Sequence, residues 1–219
     1  MPATAGSNCS KWIPAGCRLS EHLSPVPSLP AIESVVVLWR MTLWTIGHST
    51  KPIDEFLTLL ATYGIKRLVD VRTVPRSRHN PQFDSHTLAR HLTEAGFTYE
   101  HHPDLGGLRK PGKDSINAGW KNASFRGYAD YMQTEVFRTA LEALMAGSRA
   151  VPSAIMCAEA VPWRCHRSLI ADALTIREWT VRHIMTKTKA DKHRLTPFAV
   201  VEQHRITYPS QDSLKAQHS

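Results

Sequence analysis

Cysteine is sparse in this chain: Cys9, Cys17, Cys157 and Cys165 are the only four in 219 residues. That excludes a disulfide framework for a chain of this size, and a reducing cytoplasm is the expected setting. Long apolar runs are missing as well. None approaches the ~20 residues a membrane helix needs, so no membrane partner is expected. Acidic residues fall short of basic ones, 19 against 27, leaving a net charge of +8. Residues 1–40 carry three Lys and Arg against two Glu, so they supply only 3 − 2 = +1 of it. The excess sits in the body, and a basic body points to an anionic partner: nucleic acid or a phosphorylated small molecule.

Residues 1–40 lack sustained periodicity. Pro14, Pro25, Pro27 and Pro30 fall among Ser and Gly. Val35 to Trp39 is too short for the apolar core of a signal peptide, and there is too little Arg for a transit peptide. This stretch is expected to be a disordered leader or a start-site artefact, with Met41 as the start of the protein. Residues 41–219 are expected to form a single α/β domain.

From Thr42 the pattern sharpens. Leu43 to Ile46 reads as a strand ended by Gly47. Ser49 or Thr50 is placed to cap a helix carrying Ile53, Phe56, Leu57 and Leu60, stopped by Gly64. Arg67 to Val71 is the next strand. Asp84 or Ser85 caps a helix through Leu88 and Leu92, closed by Gly96. Phe97 to His101 is a strand near an edge. Residues 102–123 form a long polar loop, which is usually functional or mobile. Helical spacing resumes from Phe125 to Met145 as two helices. Ala154 to Met156 is a short buried strand. Pro162 then breaks any helix, and a helix runs from Cys165 to about Arg177. Val181 to Met185 is a fifth strand. Residues 187–194 are a basic stretch, and Phe198 to Val201 with Ile206 to Tyr208 suggest a terminal strand pair. Alternating strands and helices give an α/β fold: a three-layer, Rossmann-like, mostly parallel sheet with helices on both faces.

In such sheets the ligand crevice lies beyond the carboxyl ends of the strands. The residues there are His48 and Ser49, Asp70 and Arg72, His101 and His102, and Cys157 and Glu159. They are expected to converge on one pocket. Asp70 and Glu159 can serve as acid and charge-stabilising carboxylates, as glycosidic or phosphoester cleavage needs. One of them is also expected in an ion pair with Arg72 or Arg167. Arg72, Arg78 and Arg167 suit a phosphate pocket, with Ser77 adding a hydroxyl contact. Gly106 and Gly107 permit close backbone approach. His48 and His166 are candidate acid or base groups. Cys165, at a helix start between Arg164 and Arg167, is a candidate thiolate nucleophile. Trp120, Phe125, Trp163 and Tyr99 could stack a base.

Five ordered motifs carry a family resemblance. They are Thr45-Ile46-Gly47-His48-Ser49-Thr50; Asp70-Val71-Arg72 with Pro75, Ser77 and Arg78; Leu105-Gly106-Gly107; Cys157-Ala158-Glu159; and Cys165-His166-Arg167. The body from about Trp44 to Tyr208 resembles the bacterial family catalogued as domain of unknown function 488. The resemblance implies a cytoplasmic α/β domain and no established reaction; the labelling of some relatives points to DNA repair.

The leading expectation is an enzyme acting on nucleic acid or a nucleotide, of the DNA-repair N-glycosidic hydrolase type. Asp70 or Glu159 would cleave, His48 or His166 would assist, and no cofactor is required. The alternatives are a thiol enzyme at Cys165 and a non-enzymatic metal- or nucleotide-binding module. A metal would sit on Cys157, Cys165 and His166, with His48 or His101 as fourth ligand. The eight-residue spacing of the two cysteines is looser than that of zinc knuckles.

Overall fold

The structure, a computed structural model, describes residues 42–212. The expected leader, residues 1–40, and Met41 lie outside the described residues. Strand β1 (Thr42–Gly47) leads to α1 (Ile53–Thr62), then β2 (Arg67–Asp70), α2 (Ser85–Glu94) and β3 (Thr98–His101). Two helices follow, α3 (Ala123–Tyr131) and α4 (Glu135–Ala150). Then come β4 (Ser153–Cys157), α5 (Arg167–Thr175) and β5 (Thr180–Ile184). A short β6 (Ala190–Lys192) and the hairpin of β7 (Val200–Glu202) and β8 (Arg205–Thr207) complete the set.

The six-stranded sheet has the order β3-β2-β4-β1-β5-β6 and is parallel except for the β5–β6 pair. Central β4 is buried at all five positions, as a strand covered on both faces must be. Edge strand β3 alternates exposed and half-buried. One face packs Ile46, Leu68, Ala154, Met156 and Ile184 under α1 and α2. The other packs Leu43, Val69, Ile155, Cys157 and Val181 under α3, α4 and α5. The fold is therefore the three-layer α/β sandwich that the sequence pattern implies.

The crossover after β1 travels toward β2, and the one after β4 travels the opposite way, to β5. Right-handed crossovers in opposite directions put α1 and α5 on opposite faces. The crevice of such a sheet opens where the connections diverge, here between the ends of β1 and β4. Gly47 pairs with Cys157 at that point.

Several local expectations are corrected. Neither Ser49 nor Thr50 caps α1. Pro52 holds that position with no side-chain hydrogen bond, and Ser49 is left-handed at φ 48°. Asp84 precedes α2, but its carboxylate accepts from the Ser77 N–H and not from the helix. Pro162 does not simply break structure. It opens a 3-10 turn, Pro162–Arg164, which delays the start of α5 to Arg167. Cys165 and His166 thus lie just ahead of the helix. The basic stretch 187–194 contains a strand, β6, that polar composition conceals. It forms because β5 presents an open edge, and backbone pairing needs no apolar side chain.

Candidate functional site

The strand-end residues do not converge on one pocket; they separate into two clusters. Side chains alternate along a strand, so Asp70 shares the Leu68 face, with α1 and α2. There Asp70 is fully buried. Its carboxylate accepts from the Arg72 backbone N–H, from Arg72 Nε and Nη2, and from the Tyr99 hydroxyl at 2.9 Å. The ion pair Arg72 Nη2–Asp70 Oδ2 measures 2.6 Å. The expected carboxylate–arginine pair is thus Asp70–Arg72. Its hydrogen bonds are taken up internally: Arg72 also donates to the Phe83 carbonyl, and His101 Nε2 donates to the Arg72 carbonyl.

His48 completes this cluster. It stacks on Phe83 with ring centres 4.2 Å apart. Burial pulls its pKa down to about 4, against the Ser49 carbonyl, which raises it. Nδ1 lies 2.9 Å from that carbonyl and therefore carries the proton, leaving Nε2 to accept from Arg72 Nη1 at 3.3 Å. A neutral, fully engaged imidazole is poorly placed to move protons near neutral pH.

The second cluster lies on the opposite face, under α5. Cys157 ends β4, pointing to that side, and Cys165 and His166 arrive from the turn before α5. His166 Nε2 donates to the Val71 carbonyl at 2.9 Å. That bond aims Nδ1 at both thiols: 3.7 Å to Cys165 Sγ and 4.0 Å to Cys157 Sγ. Gly107 is required by this ring, since a Cβ there would sit 2.9 Å from His166 Nδ1. Gly47 is required by the loop after β4, because a Cβ would sit 1.9 Å from the Glu159 carbonyl oxygen.

Arg167 is the largest fully buried side chain of the described residues, 1% exposed. It donates through Nη2 to the Glu159 backbone carbonyl at 2.6 Å and through Nη1 to Thr45 Oγ1 at 3.4 Å. Nε donates to Cys165 Sγ at 3.4 Å. No carboxylate among the described residues lies within ion-pair distance of it. Arg167 meets Glu159 through its backbone carbonyl alone, and the Glu159 side chain is exposed. A buried guanidinium without a carboxylate needs another anion close by. Cys165 supplies it. A hydrogen bond from the Cys157 thiol holds Cys165 well below the ordinary thiol range, and His166 and Arg167 act the same way against burial. Cys157 is correspondingly pushed up, first by that hydrogen bond and then by burial.

From Arg167 a chain of hydrogen bonds runs inward that sequence reading missed. Thr45 Oγ1 lies 2.8 Å from His183 Nδ1, His183 Nε2 lies 3.0 Å from His193 Nδ1, and His193 Nε2 lies 2.8 Å from Asp172 Oδ1. With Asp172 as terminal acceptor every donor points the same way, from Arg167 to Asp172. Asp172 also accepts from Thr196 and from the Tyr208 hydroxyl. Thr45, polar in the middle of a buried strand, was the available signal.

The proposed phosphate set is dispersed. Arg72 and Arg167 are consumed on opposite faces, and Arg78 is exposed on the loop after β2. Ser77 shapes that loop, its hydroxyl accepting from the Asn80 N–H. Gly106 lies against Thr73, whose Oγ1 would be 2.5 Å from an added Cβ. Among the described residues, the grouped soft ligands are Cys157, Cys165 and His166, all within 4.8 Å of one another. His48 and His101 do not join them.

A family model described as "Domain of unknown function DUF488" matches residues 52–174, a span that holds β2, β4 and the Cys157 to Arg167 cluster. No curated protein and no solved structure matches the chain.

Proposed function

This chain belongs to the DUF488 family by a match over more than half its length, and we propose that it is a thiol-dependent enzyme with Cys165 as its nucleophile. One observation carries the reading: buried Arg167, with no carboxylate among the described residues within ion-pair distance, donates to Cys165 Sγ. Cys157 Sγ lies within 4.8 Å of the same sulfur. In the reaction, the Cys165 sulfur would form a bond to an electrophilic centre of an anionic substrate. The Cys165 proton would pass to His166 Nδ1, whose ring is fixed by the Val71 carbonyl, and from there to the leaving group as its bond to that centre breaks. The basic body favours a negatively charged substrate, nucleotides and nucleic acids included.

The carboxylate route has less support. Asp70 is saturated by Arg72 and Tyr99, and Glu159 is exposed with Arg167 on its backbone. Alkylation with iodoacetamide followed by peptide mapping tests the thiol reading. Cys165 should react at a rate that is flat from about pH 7 to 9, whereas an ordinary thiol near ~8.5 gains speed through that range. A rate that climbs with pH as an unperturbed thiol's does would remove the case.

A second reading rests on a specific geometry. The S···N separations of 3.7 and 4.0 Å are close to the roughly 3.5 Å expected for a tetrahedral zinc bound by sulfur and imidazole. His166 already donates its other nitrogen to a carbonyl, as metal-bound histidines do. Cys157, Cys165 and His166 would then hold the ion with its fourth position open. Elemental analysis of purified protein, wild type against Cys157→Ser, decides this: stoichiometric metal lost in the variant supports it, and metal-free wild type with intact thiols rejects it.

A further inference from the structure

Beside the thiol cluster lies a cavity of about 450 Å³, within the roughly 300–1,000 Å³ range of small-molecule sites. It is bounded by the Pro162–Arg164 turn, the first turn of α5, β5, β6 and the segment after it. Neither Asp70 nor Arg72 borders it. We propose that this cavity is a nucleotide-binding site, with the base held among Trp163, Trp120 and Phe198 and the phosphate at Lys192 and Arg194.

The walls argue for a planar ring. Trp163 lines the cavity and is 64% exposed, an unusual position for an indole. Trp120 meets Phe198 edge-on at 5.0 Å, so those rings are held in place before any ligand arrives. The Trp120 indole N–H is buried and has no acceptor among the described residues. His183, on the floor, is held uncharged near neutral pH because burial, and then His193, pull it down to about 3.

The mouth argues for an anion. Lys192 and Arg194 are exposed, and neither has a carboxylate within ion-pair distance among the described residues. Asp191 also borders the cavity, but Lys189 is its partner at 3.6 Å. The balance at the mouth is positive. A sugar phosphate would face aromatic walls that give its hydroxyls little to bond; a nucleotide matches both parts. The proposal does not depend on what Cys165 does. His183, however, is joined through Thr45 to Arg167, so an occupant would touch the hydrogen-bonded chain that runs from Arg167 to Asp172.

Isothermal titration of the wild-type protein with the 5′-monophosphates of adenosine, guanosine, cytidine and uridine tests this. At least one should bind saturably with Kd below about 1 mM. Trp163→Ala should weaken it at least about tenfold, the scale of one lost base stack. The double variant Lys192→Ala/Arg194→Ala should weaken it by about the same factor and flatten its salt dependence. All three side chains are exposed, so the variants should fold, which circular dichroism checks. No saturable binding of any of the four would overturn the proposal. So would affinity unchanged by Trp163→Ala, or a free nucleoside that binds as tightly as its monophosphate.

Discussion

The thiol reading turns on Arg167. Removing its charge from water is unfavourable unless it is paired or hydrogen-bonded, and it donates to the Glu159 carbonyl, Thr45 and the Cys165 sulfur. The motif Cys165-His166-Arg167 was legible in the sequence as a cluster of polar side chains. Its wiring was not, because the pairing of Arg167 with a backbone carbonyl, in place of the Glu159 carboxylate, depends on how the loop after β4 folds over β1. Gly47 permits that fold. Gly47→Ala should lower stability by roughly 1–3 kcal/mol, since the methyl would overlap backbone that cannot rotate away. Equilibrium urea denaturation measures it, and an unchanged midpoint would show that the loop moves freely.

At the scale of elements, α5 is tied to the C-terminal segment by one carboxylate. Asp172, fully buried, accepts from His193, Thr196 and Tyr208. Asp172→Ala would strand these donors and should cost about 3 kcal/mol, read as a lowered denaturation midpoint and faster amide exchange in residues 193–208. Faster exchange confined to other parts of the chain would contradict this. Strands β1, β2, β4 and β5 and the helices could be read from periodicity, because each buries a regular apolar face. The start of α5 could not, since the 3-10 turn from Pro162 imitates the beginning of a helix. Strand β6 was hidden because its pairing is a property of the neighbouring edge and not of Ala190, Asp191 and Lys192 themselves.

For the whole molecule, topology sorts the strand ends. Alternation along β2 and β4 sends Asp70 to one face and Cys157 to the other, so residues equally near the rim belong to separate clusters. Single-sequence reading found the rim but not the sorting, which requires the strand order and register. Burial on both faces also sets the acid response. Burial lowers His48 to about 4 and His183 to about 3 in the folded protein, from 6.5 when unfolded. The unfolded chain therefore binds more protons below pH 6.5. The stability these histidines contribute is complete above that pH and is lost as it falls toward 4 and then 3. Glu100, lowered to about 2 chiefly by its hydrogen bonds to Arg67, is lost in the same direction below 4.5. Tm should be nearly flat from about pH 7 to 8 and fall steadily between about 6.5 and 4. A Tm that holds or rises on acidification would mean these rings are not held neutral.

The ionisation of Cys165 can be measured directly as the ultraviolet absorbance of a thiolate, recorded against pH for the wild-type protein and for Cys165→Ser. The difference between the two should already be at its full value at neutral pH and should disappear only on acidification well below the ordinary ~8.5 of a thiol. A difference signal that is absent at pH 7 and develops only through pH 8 to 9 would show Cys165 to be a protonated, ordinary cysteine, and Arg167 would then have no anion beside it.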